Sequence, residues 1–281
     1  MCAICAAAAQ PASADPKPLL YGTTGACNNA VPFGPCTQQS TLVEIDVGSG
    51  DLIRVIGPVG FTVNGLAWDR TTQTLYGTTA VGDVTFHGLI VINVDTGAGT
   101  PVNPAVFNFG LSADPRESPI HSITVDFNGN MVGWYDEFPP PAGVTDTFVR
   151  IDKTTGIATE FPDTGINTAN NGLSFQPFGA ADILWNIDTP RVSADGTTQT
   201  QTAYVIDRMT GKPLSTQLLI PPTPAALGDF SPRNHNYYGL NFTPFFPGPP
   251  DLVVIDPAKG TVVTLGQTVP NLHVLAFVKH N

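Results

Sequence analysis

Five segments of this chain share one grammar, and that repetition constrains the fold more than any other feature. The segments "STLVEIDVGSG", "GLIVINVDTG", "FVRIDKTTG", "AYVIDRMTG" and "DLVVIDPAKG" run through β-branched and apolar residues into Ile-Asp or an equivalent, then reach a glycine. Those glycines are Gly50, Gly97, Gly156, Gly211 and Gly260, spaced by 47, 59, 55 and 49 residues. The period lies slightly above that of ordinary propeller blades. Each unit reads as strand, tight turn, strand, because Asp can bond its own backbone two residues on and Gly accepts a positive φ. The apolar runs are short, sit between Gly and Pro clusters and show no 3.6-residue period, so helices are excluded.

The other strands of each unit follow from the same reading. Ahead of the repeats lie "NGLAWD", "HSITVDF", "NGLSFQP", "ALGDFSP" and "LHVLAFV", and four of these are followed by "TLYGTT", "MVGWYDE", "ILWNID" and "YYGLNF". The last, "LHVLAFV", has no successor, while the first segment, "LLYGTTG", has no predecessor. Joining them completes a blade shared by the two termini. The expected fold is therefore all-β: a five-bladed β-propeller of four-stranded antiparallel blades over residues 16–281. The ring is closed by pairing of the N- and C-terminal segments, and residues 1–15 form a separate apolar segment ahead of it.

The stretch "GLAWDRTTQTLYGTTAVGDVTFHGLIVINVDTGAGTPV" resembles the YVTN-type repeats of secreted bacterial and archaeal β-propellers. "LYGTT" stands for their second element and "VINVDTG" for their third, with Tyr-Gly-Thr in place of Tyr-Val-Thr and with Pro-rich insertions "EFPPPAGV" and "FTPFFPGPPD". The resemblance implies a fold and leaves the chemistry open.

Composition narrows the partners. Net charge is −11 and the 12 Lys and Arg are scattered singly, which disfavours nucleic acid and anionic membranes, since both reward clustered cations. No run is long enough for an apolar membrane-spanning helix. Cys27 and Cys36 bracket "NNAVPFGP" and are placed to close a disulfide in an oxidising compartment. Cys2 and Cys5 form a CxxC with no βαβ pattern behind it, and are candidates for thiols that link neighbouring molecules. Ala12-Ser13-Ala14 after an apolar stretch matches a signal-peptidase site, although no Lys or Arg precedes Lys17. The head is thus expected to be a signal-peptide remnant or an assembly strand, and the protein to be secreted, extracellular or periplasmic.

Candidate chemistry is sparse. The repeat aspartates Asp46, Asp152, Asp207 and Asp256 read as turn acceptors rather than a ring of catalytic carboxylates. Aligning the inner strands on Trp68, Val125, Phe175, Phe230 and Phe277 puts Asn64, His121, Asn171, Ala226 and His273 at one level of a central channel. Two imidazoles and two amides facing one axis could hold a small polar ligand or a metal, or could simply bond one another and channel water. No metal and no cofactor is expected. There is no G-x-S-x-G, H-E-x-x-H, Walker or EF-hand pattern, and the acidic residues are unclustered apart from Asp136-Glu137. Exposed Phe245 and Phe246 could stack on a sugar or plug their own loop. Among the outer strands, "GTPVNPAV" and "IATEFPD" carry Pro or charge and "DLIRVI" has Asp51 and Arg54, while residues 214–220 and 261–268 are bare. Thr261, Val262, Val263, Thr264 and Leu265 are therefore the candidate edge for a donated strand. These readings point to a non-enzymatic structural or interaction protein, a self-assembling filament subunit linked through its N-terminal segment and outer strands. A carbohydrate- or small-ligand-binding module is the alternative, and a lactonase- or hydrolase-like enzyme the third reading.

Overall fold

The structure, a computed structural model, describes residues 18–25, 39–79, 86–111, 120–135, 145–161, 163–168, 172–178, 181–192, 198–223, 225–241 and 249–279. These residues form five four-stranded antiparallel sheets and one short hairpin. Blade I pairs β1 (Leu19–Thr24), β2 (Thr41–Ile45) and β3 (Leu52–Pro58) with the last strand of the chain, β22 (Leu272–Val278). Blade II is β4 (Val63–Asp69), β5 (Thr74–Thr79), β6 (Leu89–Ile92) and β7 (Gly99–Pro101). Blade III is β8 (Ser122–Val125), β9 (Met131–Tyr135), β10 (Thr147–Ile151) and β11 (Ala158–Phe161). Blade IV holds β12 (Gly172–Phe178), β13 (Ala181–Ile187), β16 (Thr202–Ile206) and β17 (Pro213–Leu218), with the hairpin β14 (Arg191–Val192) and β15 (Gln199–Thr200) inserted. Blade V is β18 (Ala226–Phe230), β19 (Tyr237–Asn241), β20 (Asp251–Asp256) and β21 (Thr261–Gln267). The expected ring closure is present: Leu20 lies opposite Phe277 and Gly22 opposite Leu275. No helix among the described residues is long and apolar enough to cross a membrane.

The core is five apolar wedges, one in each joint between blades. Tyr21, Leu42, Val63 and Ile90 fill the joint of blades I and II, and Tyr76, Ile123, Met131 and Val149 that of II and III. Trp134, Phe148, Phe175 and Leu184 join III to IV. Trp185, Ile187, Phe230 and Tyr237 join IV to V, and Leu20, Tyr238, Leu252 and Phe277 close the ring. At roughly 1.5–3 kcal/mol for each large apolar side chain fully buried, these wedges hold the blades together.

The repeat motif shapes both ends of this contact. Asp46, Asp152, Asp207 and Asp256 each accept backbone N–H groups within their own hairpin: Asp46 Oδ1 from Gly48 and Ser49, Asp152 Oδ1 from Thr154 and Thr155, Asp207 Oδ1 from Met209 and Asp256 Oδ1 from Lys259. Asn93 does the same in blade II. The five turn glycines all have positive φ, from 68° at Gly260 to 85° at Gly50. They also lie against the preceding blade: a Cβ on Gly97 would stand 2.4 Å from the Gly57 carbonyl oxygen, and one on Gly211 2.3 Å from the Phe148 Cβ.

Inner strands have one edge facing the channel, so some backbone donors need partners from outside their own sheet. Neighbouring blades supply them. Thr124 Oγ1 accepts the Phe175 N–H at 3.2 Å, Ser174 Oγ accepts the Phe230 N–H at 3.3 Å, and Asp229 Oδ2 accepts the Phe277 N–H at 2.9 Å. Three of the five joints are thus laced by the residue that precedes the aromatic or aliphatic anchor of an inner strand.

Candidate functional site

The start of the inner strands is where the ladder is irregular. Between β4 and β5 the register passes from Val63–Thr79 to Gly65–Thr78, leaving Asn64 as the extra residue. Between β22 and β1 it passes from Val274–Thr23 to Leu272–Thr24, leaving His273 extra. In β18 the irregularity spans Leu227 and Gly228, where Leu227 has φ 52° and the Tyr237 hydroxyl accepts the Gly228 N–H at 2.7 Å. A bulge of this kind bends the strand and re-aims the side chain it carries. Three of the five inner strands therefore turn side chains away from the regular ladder at one end of the channel.

There Asn64 of blade II and His121 of blade III meet, with Asn64 Nδ2 2.7 Å from His121 Nδ1. Gly65 makes the approach possible, since a Cβ at that position would lie 2.9 Å from the His121 carbonyl oxygen. His273 stands near enough to His121 to influence its charge. Burial, and secondarily His273, pulls the His121 imidazole down to about 4. Burial alone brings His273 to about 4. Both residues are half-buried, and with burial holding their pKa near 4 both rings are neutral at pH 7. With the Asn64 amide donating to Nδ1, the neutral His121 ring carries its proton on Nε2. Asn64 and His121 thus form a hydrogen-bonded amide–imidazole pair at this level, with the neutral His273 imidazole nearby.

That donor set suits an uncharged oxygen-bearing ligand. Among the described residues no three His, Cys, Asp or Glu side chains gather closely enough to hold an ion. Asp229 on β18 is engaged: its Oδ1 accepts from the Ser174 hydroxyl at 2.5 Å and from the Phe230 N–H, besides the bond from Phe277 to Oδ2. Burial raises its pKa against the pull of these donors. It laces three blades together. An open groove of about 660 Å³ between Met131, Arg150, Asp152 and Lys153 lies at the opposite end of the strands. Its polar groups are committed too, Asp152 to its own turn and Lys153 to Asp69.

Thr261–Leu265 lies on β21, the outermost strand of blade V. Its beginning is already paired, because the Ile220 N–H donates to Gly260 O at 2.8 Å and the Val262 N–H to Ile220 O at 3.2 Å. A bulge opposite Leu252 and Val253 interrupts it further. Asn171, the Cys2, Cys5, Cys27 and Cys36 thiols, Asp136 with Glu137, Phe245 with Phe246, and the N-terminal segment lie outside the described residues. The lacing residues Thr124, Ser174 and Asp229 escaped the sequence reading, although a hydroxyl or carboxylate directly before the anchor in "ITV", "LSF" and "GDF" was a usable signal. The bulges left no such mark.

No protein-family model and no curated sequence matches the chain, so the likeness to YVTN-type repeats stays at the level of the sequence pattern. Solved structures do match. TolB from Acinetobacter baumannii aligns over 94% of this chain and 67% of its own, at 12% identity and a TM-score of 0.50. A gluconolactonase from Xanthomonas campestris aligns over 93% and 90%, at 12% identity and a TM-score of 0.44. An α-L-arabinofuranosidase from Clostridium thermocellum aligns over 94% and 96%, at 11% identity and a TM-score of 0.47. At these identities the likeness is one of fold. The expectation that the protein is no enzyme is corrected: enzymes stand among the solved structures that match, and missing sequence motifs are no ground for excluding catalysis.

Proposed function

We propose that the protein binds a small, neutral, hydroxyl- or carbonyl-bearing molecule at the mouth of its central channel. The observation that carries this reading is the 2.7 Å contact between Asn64 and His121, which brings polar side chains from two blades to one level. The neutral state of His121 and His273 supports it, because uncharged donors and acceptors recognise sugars, polyols and lactones without demanding a counter-charge. The same site serves a hydrolytic reading, in which the His121 ring N–H polarises the carbonyl of a bound lactone. An extracytoplasmic setting is part of the proposal and is supported by Ala12-Ser13-Ala14 and by the spacing of Cys27 and Cys36.

The test is calorimetric titration with a panel of monosaccharides, polyols and sugar lactones, run on wild type, His121→Ala and Asn64→Ala, with product analysis after each titration. Binding that weakens tenfold or more in both variants supports the site. Product that accumulates with wild type alone extends binding to turnover. Binding unchanged in both variants, or none with any member of the panel, overturns the proposal.

A further inference from the structure

We infer that the flank formed by blades IV, V and I is an interface at which two copies of this chain associate. Eight large apolar side chains stand exposed on or beside three consecutive outer strands. They are Leu214 (68%), Leu218 (56%) and Ile220 (69%) along β17, Val263 (56%) and Leu265 (37%) on β21, and Leu52 (45%), Ile53 (53%) and Val55 (60%) on β3. The three strands are physically joined. Ile220 bridges in parallel to Thr261, and the Gly50 turn of blade I approaches the carbonyls of Gly266 and Gln267 at the end of β21.

The other two blades are finished differently. β7 is three residues long and ends on Pro101. β11 presents exposed Glu160, and the Arg150 guanidinium covers the Phe161 ring at 4.8 Å. Short, proline-bearing or charged outer strands are the usual protection of a sheet edge. β21 carries neither proline nor charge, while β17 and β3 carry proline only at an end, Pro213 and Pro58, and β3 adds Arg54.

Area and charge both single out a second copy as the occupant. Summed over the eight side chains on the three strands, the exposed surface is on the order of 700 Å², the scale of the roughly 300–600 Å² patches that mark interaction sites. It is close to the ~800 Å² that each partner contributes to a standard interface. The chain carries a net charge of −11, so two copies repel over most of their surface. β17 and β21 contain no charged residue, and Arg54 on β3 is held by Glu44 at 2.6 Å, so the three strands themselves bring no unpaired charges together. Its layout is also self-complementary: a two-fold axis through β21 sets the β17 of one protomer against the β3 of its partner, an isologous contact that closes at two subunits.

Contact is made through side chains rather than by strand addition. Register breaks interrupt the pairing of β2 with β3, of β16 with β17 and of β20 with β21, and such bulges spoil an edge as a template for a further strand.

The experiment is sedimentation equilibrium of the full chain at concentrations up to about 100 μM, on wild type, Leu218→Lys, Val263→Lys and a control, Thr100→Lys on β7. All three substituted positions carry solvent-facing side chains, and circular dichroism confirms folding of each variant. Wild type and control are expected to approach twice the monomer mass. The two flank variants should dissociate at least tenfold more readily. Added salt should tighten the wild-type dimer by screening the repulsion of the net charge. A wild type that remains monomeric throughout overturns the inference, and so does a dimer that both flank variants leave intact.

Discussion

The turn glycines offer a graded test of how the blades are joined. All five have positive φ, so an alanine at any of them incurs about 1–2 kcal/mol of left-handed strain. Their surroundings differ. At Gly97 the new Cβ would lie 2.4 Å from the Gly57 carbonyl oxygen and 2.6 Å from its carbon, and backbone cannot swing aside. At Gly156 the nearest neighbours are Val102 at 3.9 Å and Leu89 at 4.0 Å, ordinary contact distances. Gly156→Ala should therefore cost only the strain, about 1–2 kcal/mol. Gly97→Ala should add the overpacking of blade II against blade I, typically 1–3 kcal/mol, for a total of about 2–5 kcal/mol. The gain from a stiffer unfolded chain is common to both and cancels in the comparison. Urea denaturation followed by tryptophan fluorescence measures both variants, and a domain of this size loses roughly 2–4 °C of melting temperature per kcal/mol. Equal destabilisation of the two variants would refute the claim that these turns dock on the preceding blade.

Three further outcomes follow from the same contacts. Asp229→Ala removes the acceptor of the Phe230 and Phe277 N–H groups and of the Ser174 hydroxyl. It should destabilise the fold by about 2–4 kcal/mol in a urea titration, mostly from buried groups left unpaired. His121 and His273 bind protons more weakly folded, at about 4, than unfolded, at about 6.5. Their share of stability is full above the unfolded value and is lost as pH falls from about 6.5 to about 4, by up to ~3 kcal/mol per ring. His121→Gln with His273→Gln should flatten that part of the pH profile of the urea midpoint. Gly65→Ala presses a Cβ toward the His121 carbonyl, and should move the His121 ring resonances in an NMR spectrum while leaving those of His235, in another blade, in place.

Blade number, strand order and ring closure were legible because each blade repeats the same local chemistry. A β-branched run, an Asp or Asn that accepts turn N–H groups and a glycine with positive φ recur five times, and the unmatched "LLYGTTG" and "LHVLAFV" could only complete each other. The common level of Asn64 and His121 was legible for the same reason, since a shared anchor residue sets a shared height. What could not be read was the backbone irregularity there: Asn64 and His273 differ from their neighbours by an extra residue in the ladder, and a bulge is decided by packing across blades rather than by a residue type. The bareness of residues 261–268 was visible, yet the pairing of Ile220 with the beginning of that strand was not, because it joins two blades whose contact depends on the closed ring.

The central claim is that the channel mouth is a neutral, paired binding site, and the imidazole nitrogens report on it directly. We would record ¹⁵N-resolved histidine spectra of the full protein between about pH 4 and 8, alone and with the tightest member of the ligand panel. The account predicts that His121 and His273 remain neutral down to near pH 4, that His121 carries its proton on Nε2, and that ligand shifts both rings. Titration of either ring near its ordinary value of about 6.5, or rings that ignore every ligand while binding is measured elsewhere, would contradict it.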